Sequence, residues 1–141
     1  HKEMNMLVEM LSLLMAIVLP MITKVPLAMA MIKDNGYNNH YPRNQQSQLT
    51  GIGARAKASH ENAFEALLMF IPGALAVLVT GQIDTYAQYL AQGFIVARVL
   101  YHFFYLFDWH LLRSLVWTAG FVCSVLLLLH AVQAASSAAL S

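Results

Sequence analysis

Four long apolar segments that are almost free of charged residues constrain this chain more than any other feature of its sequence. They cover about residues 4–32, 54–80, 85–107 and 111–135. Each holds the roughly 20 residues that a helix needs to cross the hydrocarbon core of a bilayer. Because a backbone in lipid must satisfy its own hydrogen bonds, helices are expected rather than strands. The sequence therefore predicts an all-α membrane protein with four transmembrane helices.

The overall composition agrees with a membrane location. Only 11% of the residues are charged, against roughly 25% in an average soluble domain. The length of 141 residues predicts a single domain over residues 1–141. The formal net charge is +1, so we expect no nucleic acid among the partners.

The connections between the segments predict how the helices are arranged. Residues 33–53 form a long polar loop rich in Asn, Gln and Gly, whereas residues 81–84 and 108–110 are short links. Short links join antiparallel neighbours, so the sequence predicts an up-down bundle.

The distribution of basic residues predicts the orientation. Most of them flank the long loop or the last short link: Lys33, Arg43, Arg55, Lys57 and Arg113. By the positive-inside rule, the loop lies in the cytoplasm and both termini lie on the non-cytoplasmic side of a multi-pass protein.

Polar side chains recur on one face of the second predicted helix. Arg55, Asn62 and Glu65 stand at i, i+7 and i+10, within about 80° of one another on a helix. A guanidinium, a carboxamide and a carboxylate together suit a zwitterionic ligand. The same set could instead be a polar network that fixes helix packing. Both interpretations stay open from the residues alone.

A second polar set lies on the third helix and at the start of the fourth. Arg98, Tyr101 and Tyr105 share a face at i, i+3 and i+7, and Arg113 and Ser114 follow the short link. The beginning of a helix favours an anion and lowers the pKa of a thiol. The tyrosines could alternatively belong to an aromatic belt at the membrane surface.

Motifs for other chemistry do not occur. The single cysteine, Cys123, lies in an apolar run, and the histidines are scattered. We therefore expect no metal site, and no phosphate-binding glycine loop or serine elbow is present.

Three stretches, in order along the chain, resemble a known family. They are Tyr37–Arg43, Arg55–Glu65 with its Arg-x6-Asn-x2-Glu pattern, and Ala97–Tyr105 continued by Leu112–Trp117. The chain resembles the membrane-associated proteins in eicosanoid and glutathione metabolism (MAPEG), in their bacterial branch. With the four-helix plan, the resemblance covers nearly the whole chain.

The resemblance implies an integral protein of the bacterial inner membrane that forms homotrimers. Its active relatives bind glutathione as a co-substrate between subunits, near the cytoplasmic face, and transfer it to lipophilic electrophiles or reduce lipid hydroperoxides. The partners implied are glutathione, lipophilic small molecules and membrane lipids. By position, Arg113 and Ser114 would stabilise the thiolate and Tyr105 would contact the tripeptide. The implied binding residues are Arg55, His60, Asn62, Glu65, Arg98 and Tyr101.

The chain also departs from the family pattern. Lys57, Ala58 and Glu61 stand where several active members carry arginines, and Trp117 replaces a tyrosine of some members. These departures motivate an alternative, a non-enzymatic membrane module that binds a lipid or another anionic ligand in a degenerate glutathione site.

Overall fold

The structure is a computed structural model that describes all residues, 1–141, and its secondary structure is entirely helical. Five helices follow in order: α1 Lys2–Lys33, α2 Pro42–Ser47, α3 Gly51–Val79, α4 Thr85–Leu106 and α5 His110–Leu140. The predicted all-α class is confirmed. Three helices, α1, α3 and α5, are long and apolar enough to cross a membrane. Helix α4 has 22 residues and is more polar, with Arg98, His102 and four tyrosines.

The helices pack with α3 and α4 in the middle of the bundle. Helix α1 packs on α3 and α4 from one side, and α5 packs on the same two helices from the other. The core between them is built around Phe70 and Phe94, whose rings stack with centroids 4.2 Å apart. Alanines occupy many of the surrounding core positions, and such small side chains let membrane helices approach closely.

Gly73 marks the closest approach of α3 to α5. A Cβ atom built on Gly73 would lie 2.9 Å from Leu127 Cβ and 2.9 Å from the backbone nitrogen of Leu128. The glycine is therefore required by the packing of these two helices.

The segment predicted as a single polar loop contains a short helix. Pro42 begins α2, where its fixed φ and missing N–H cost nothing. The Gln45 side chain donates to the carbonyls of Met31, Asp34 and Gly36 and accepts from the Asn38 N–H. One glutamine thus joins α2 to the end of α1 and orders the turn between them.

The last helix extends beyond the predicted boundary at residue 135. Helix α5 continues to Leu140. Its last turns are rich in alanine, which has the highest helix propensity of all residues, so the small-residue tail is helical.

Asp84 connects α4 to α5 at the end of the bundle opposite the long loop. Its carboxylate accepts from the Ala87 N–H at 2.9 Å, as an N-cap of α4, and from His130 Nε2 on α5 at 2.9 Å. Partial burial opposes ionisation, but these two hydrogen bonds outweigh it and hold the pKa of Asp84 below its ordinary value.

Candidate functional site

A chain of hydrogen bonds joins α3 to α4 in the half of the bundle nearer the long loop. Asn62 Nδ2 donates to Glu65 Oε2 at 3.2 Å, and Arg98 Nη2 donates to Asn62 Oδ1 at 2.8 Å. The Arg98 side chain is only 2% exposed, and its Nε has no partner. Asn62 therefore positions the guanidinium of a buried arginine, and Glu65 positions Asn62.

Contacts between arginines and tyrosine rings extend this chain of side chains along α4 to the start of α5. The Arg98 guanidinium lies 4.2 Å from the Tyr101 ring centroid, and the Tyr101 and Tyr105 rings are 5.6 Å apart. The Arg113 guanidinium lies 4.3 Å from the Tyr105 ring centroid. Cations over aromatic faces are attracted by the ring quadrupole, so these contacts fix both arginines relative to the tyrosines.

A cavity of about 200 Å³ opens between these helices. Its lining residues are Asn62, Tyr101, Arg113, Ser114, Trp117 and Thr118. Four of the predicted site residues therefore line this cavity, Asn62 of α3, Tyr101 of α4, and Arg113 and Ser114 of α5, whereas the other predicted residues do not. The predicted site residues include neither Trp117 nor Thr118. Both stand at i+4 from Arg113 and Ser114, so helical spacing could have found them, and Trp117 was also marked by its departure from the family pattern.

The site contains side chains of both charges. Arg98 and Arg113 supply positive charge, and Glu65, exposed on the same side of α3, supplies a carboxylate. The backbone N–H of Arg113 already donates to the Trp109 carbonyl at 2.9 Å. That amide is therefore already used within the helix, and only the Arg113 side chain could contact an anion at this point.

Arg55 lies nearer the end of the bundle. Its Nε donates to the Leu106 carbonyl at 3.2 Å, one of the last carbonyls of α4, which have no helical partner. Arg55 therefore makes a hydrogen bond to the C-terminal end of α4, the helix that also carries Tyr105.

His60 lies apart from the other predicted site residues. Its Nδ1 lies 2.9 Å from the Pro20 carbonyl of α1, which also accepts from the Thr23 hydroxyl. It lines a different cavity, of about 440 Å³, between α1, α2 and α3, together with Lys24, Arg43, Gln46, Ser47, Lys57, Glu61 and Phe64.

Glu61 shares that second cavity and is paired within α3. Lys57 Nζ lies 2.7 Å from Glu61 Oε1, the i,i+4 ion pair that the spacing predicts. The negative charge of Glu61 is therefore balanced, and it does not line the cavity beside Asn62.

Comparison with known proteins gives the family. No curated protein and no solved structure matches the chain significantly. The sequence profile of the MAPEG family matches residues 8–133, which include all of α2, α3 and α4 and most of α1 and α5. The chain belongs to the MAPEG family and is an integral membrane protein.

Proposed function

We propose that this chain is a glutathione-dependent enzyme that joins the tripeptide to lipophilic electrophiles or uses it to reduce lipid hydroperoxides. The observation that carries the proposal is the continuous set from Glu65 through Asn62, Arg98 and Tyr105 to Arg113, beside a cavity. Membership of the MAPEG family supports it.

Glutathione matches the charges of this set. The tripeptide carries two carboxylates and one ammonium group, and the site offers arginines and the Glu65 carboxylate, which accepts from Asn62 but forms no ion pair. In our proposal Arg55, Asn62 and Glu65 hold the peptide, and Arg98 and Tyr101 fix Asn62 and the cavity wall. Charge-assisted hydrogen bonds of this kind give both affinity and orientation.

The chemistry proposed for the site is formation and use of a thiolate. The glutathione thiol loses its proton to solvent, and the Arg113 guanidinium and the Ser114 hydroxyl stabilise the negative sulfur. The sulfur then attacks an electrophilic carbon and forms a C–S bond while the leaving group departs with its electron pair. Tyr105, in contact with Arg113, would position the thiol.

The proposed topology has four membrane crossings. Helix α4, at 22 residues, is about 33 Å long, enough to span a bilayer. Its two most polar side chains, Arg98 and His102, are buried inside the protein, which is where polar groups in membrane helices belong. Four crossings would put both termini on the same side of the membrane, and the basic residues around the long loop support a non-cytoplasmic location for the termini.

The proposed assembly is a trimer in a bacterial inner membrane. Glu65 is exposed on the surface of the single subunit, although it lies within α3, a helix long and apolar enough to span the membrane. A carboxylate facing lipid is costly, so a neighbouring subunit that covers Glu65 and the cavity would remove this cost. That arrangement places glutathione between subunits.

Replacement of Arg113 by alanine tests the function. The purified protein is assayed for conjugation of glutathione to 1-chloro-2,4-dinitrobenzene. Loss of the guanidinium should lower kcat/KM by about 10²–10³, the usual effect of removing one charge-stabilising donor. Lys33→Ala, which removes an exposed positive charge at the same end of the bundle, is the matched control and should retain full activity.

The same assay separates the enzyme from the alternative of a non-enzymatic module. Unchanged conjugation in Arg113→Ala would exclude the thiolate role. No conjugation and no peroxide reduction in the wild-type protein would favour a module that binds a lipid or another anion in a degenerate site.

A further inference from the structure

The polar cavity of about 440 Å³ between α1, α2 and α3 has no part in the proposed thiolate chemistry. Only one of its eight lining residues, Phe64, is hydrophobic. Its volume lies within the range of sites for small molecules. It shares no lining residue with the cavity beside Asn62 and Arg113, so an inference about its ligand does not depend on glutathione binding.

The helical period explains why one face of α3 lines this cavity. Lys57, His60, Glu61 and Phe64 stand at i, i+3, i+4 and i+7, which places them on one stripe of the helix. Asn62 follows Glu61 by one residue and is therefore turned by about 100° towards the other cavity. Helix α3 thus separates two polar cavities.

The cavity has an excess of positive charge. Lys24, Arg43 and Lys57 line it, whereas Glu61 is its one acidic residue. Lys57 is paired with Glu61 at 2.7 Å. Lys24 and Arg43 form no ion pair with any residue of the chain. Two cations, one from α1 and one from α2, therefore face a cavity without an anion from the protein to balance them.

Lys24 is the most informative of these residues because it lies inside an apolar helix. Its ammonium is 5.8 Å from the centroid of the Tyr37 ring, a contact that leaves its charge unbalanced. Lys24 stands nine residues before Lys33, the last residue of α1, or about 13 Å along the helix axis.

The length of α1 places Lys24 near a membrane surface. Helix α1 has 32 residues and is about 48 Å long, so it extends beyond the roughly 30 Å hydrocarbon core of a bilayer. The side chain of Lys24 can therefore reach the level of the lipid head groups. Ionisable residues in spanning helices typically face a cavity that holds a charged ligand or partner.

The donors around the cavity favour phosphate over carboxylate. Arg43 offers a planar fork that matches two oxygens of an anion, and Lys24 offers a compact charge. Gln46 also lines the cavity, and its Nε2 contacts only the weak acceptor Met31 Sδ, at 3.8 Å. Because these donors belong to different helices, their ligand must present oxygens in several directions. A phosphate group does so, whereas the two oxygens of a carboxylate lie in one plane.

We propose that this cavity binds a phosphate group, and that the phosphate belongs to the head group of an anionic lipid. Lys24 and Arg43 contact the phosphate. Phe64, which is 43% exposed and is the lining residue of α3 farthest from the loop, contacts the start of an acyl chain. Basic pockets between transmembrane helices are typical sites for such head groups. A zwitterionic head group fits less well, because its ammonium would be repelled by the same cations.

Native mass spectrometry of the full-length protein in detergent tests the proposal. Dioleoyl phosphatidylglycerol is titrated into the protein, and dioleoyl phosphatidylcholine has the same chains but no net charge. We expect saturable binding of phosphatidylglycerol, at least about five-fold tighter than that of phosphatidylcholine, the effect expected for one basic residue at an anionic head group. Glycerol 3-phosphate carries the phosphate without acyl chains and should not displace the lipid at equal concentration.

Two variants assign the binding to this cavity. Lys24→Gln and Arg43→Gln should each weaken binding of phosphatidylglycerol by about five-fold and leave that of phosphatidylcholine unchanged. Lys33→Gln is the matched control, because Lys33 also lies on α1 but is exposed and does not line the cavity. It should bind like the wild type. Because Arg43 is exposed, Arg43→Gln keeps the test decisive even if Lys24→Gln fails to fold.

Four results would overturn the proposal. Equal affinity for the two lipids would show that charge does not select the ligand. Unchanged affinity in both variants would place the lipid elsewhere. Equal binding of glycerol 3-phosphate and phosphatidylglycerol would assign the cavity to a soluble phosphate ester. Displacement of the lipid by millimolar glutathione would make the cavity part of the glutathione site.

Discussion

At the scale of single residues, the central feature is a buried arginine held by one asparagine. Arg98 Nη2 donates to Asn62 Oδ1, and no protein group bonds Arg98 Nε. A charge inside a membrane protein is tolerated only with such partners. Asn62 is therefore important for stability before any ligand is present, in addition to its proposed role in binding.

Asn62→Ala should destabilise the protein because Arg98 then loses its side-chain hydrogen-bond partner. Loss of a hydrogen bond to a charged group costs about 1.5–3 kcal/mol, and the apparent melting temperature in detergent should fall accordingly. Glu65→Gln, which retains an acceptor for Asn62 Nδ2, is the control and should change the melting temperature much less. Equal melting of wild type and Asn62→Ala would mean that the bond contributes nothing measurable.

The sequence indicates which polar residues face the protein interior, but not which of them lie together. Polar groups in apolar helices need partners, so Asn62 and Arg98 could be predicted to face the protein interior. His60 is two residues before Asn62, and two residues turn a helix by about 200°, which directs it to α1. The family resemblance implied that His60 and Asn62 belong to one binding site, whereas the helical period directs them to different sides of α3 within one subunit. The contact between Arg113 and Tyr105 depends on how α5 is placed after its short link, which no local pattern specifies.

At the scale of helices, the approach of α3 to α5 depends on a single glycine. In Gly73→Ala the new Cβ meets Leu127 Cβ and backbone of α5 at about 2.9 Å, so the helices must separate. Overpacking of this kind costs about 1–3 kcal/mol. A melting curve in detergent should show the loss.

Gly120→Ala is the matched control for this prediction. Its Cβ would lie 3.6 Å from Ala97 Cβ, an ordinary contact between α5 and α4, so its melting temperature should stay close to that of the wild type. If Gly73→Ala and Gly120→Ala have the same melting temperature, the close approach of the helices at Gly73 does not limit stability.

The N-cap of α4 makes a pH-dependent contribution to stability. Since the pKa of Asp84 is lowered in the folded protein, its stabilising effect is complete above the ordinary value of 3.8. The effect is lost as the pH falls through the lower pKa of the folded state. Asp84→Asn keeps an acceptor for the Ala87 N–H but cannot ionise.

Melting curves between pH 3 and pH 6 test this contribution. The wild type should lose its advantage over Asp84→Asn as the pH falls below the ordinary carboxyl value. A constant difference between the two proteins across the range would show that ionisation of Asp84 does not stabilise the fold.

The apolar segments predicted the four long helices because length and hydropathy dominate in a membrane chain. Their ends were harder to predict. Helix α2 depends on contacts of Gln45 with the end of α1, which are not visible in a polar, Asn- and Gln-rich stretch. The last turns of α5 extend past the predicted boundary at residue 135, because their alanines favour helix.

At the scale of the whole molecule, several basic residues lie at one end of the bundle, and the proposed orientation rests on them. Lys33, Arg43 and Arg55 lie at or near the end of the bundle that carries the long loop. Asp84 and His130 are hydrogen-bonded at the opposite end. The proposed topology predicts that a cysteine at Asn39, in a Cys123→Ser background, reacts with an impermeant maleimide only from the cytoplasmic side. A cysteine at Thr85 should react only from the opposite side. The reverse pattern would contradict the orientation.

Calorimetric titration of glutathione into the detergent-solubilised protein tests the central claim most directly. The account predicts saturable binding to the wild type, at least ten-fold weaker binding to Arg113→Ala, and wild-type affinity for Lys33→Ala. S-hexylglutathione, which adds an apolar chain to the sulfur, should bind at the same site and compete with glutathione. Absence of heat at millimolar glutathione, or equal affinity of Arg113→Ala and the wild type, would contradict the account.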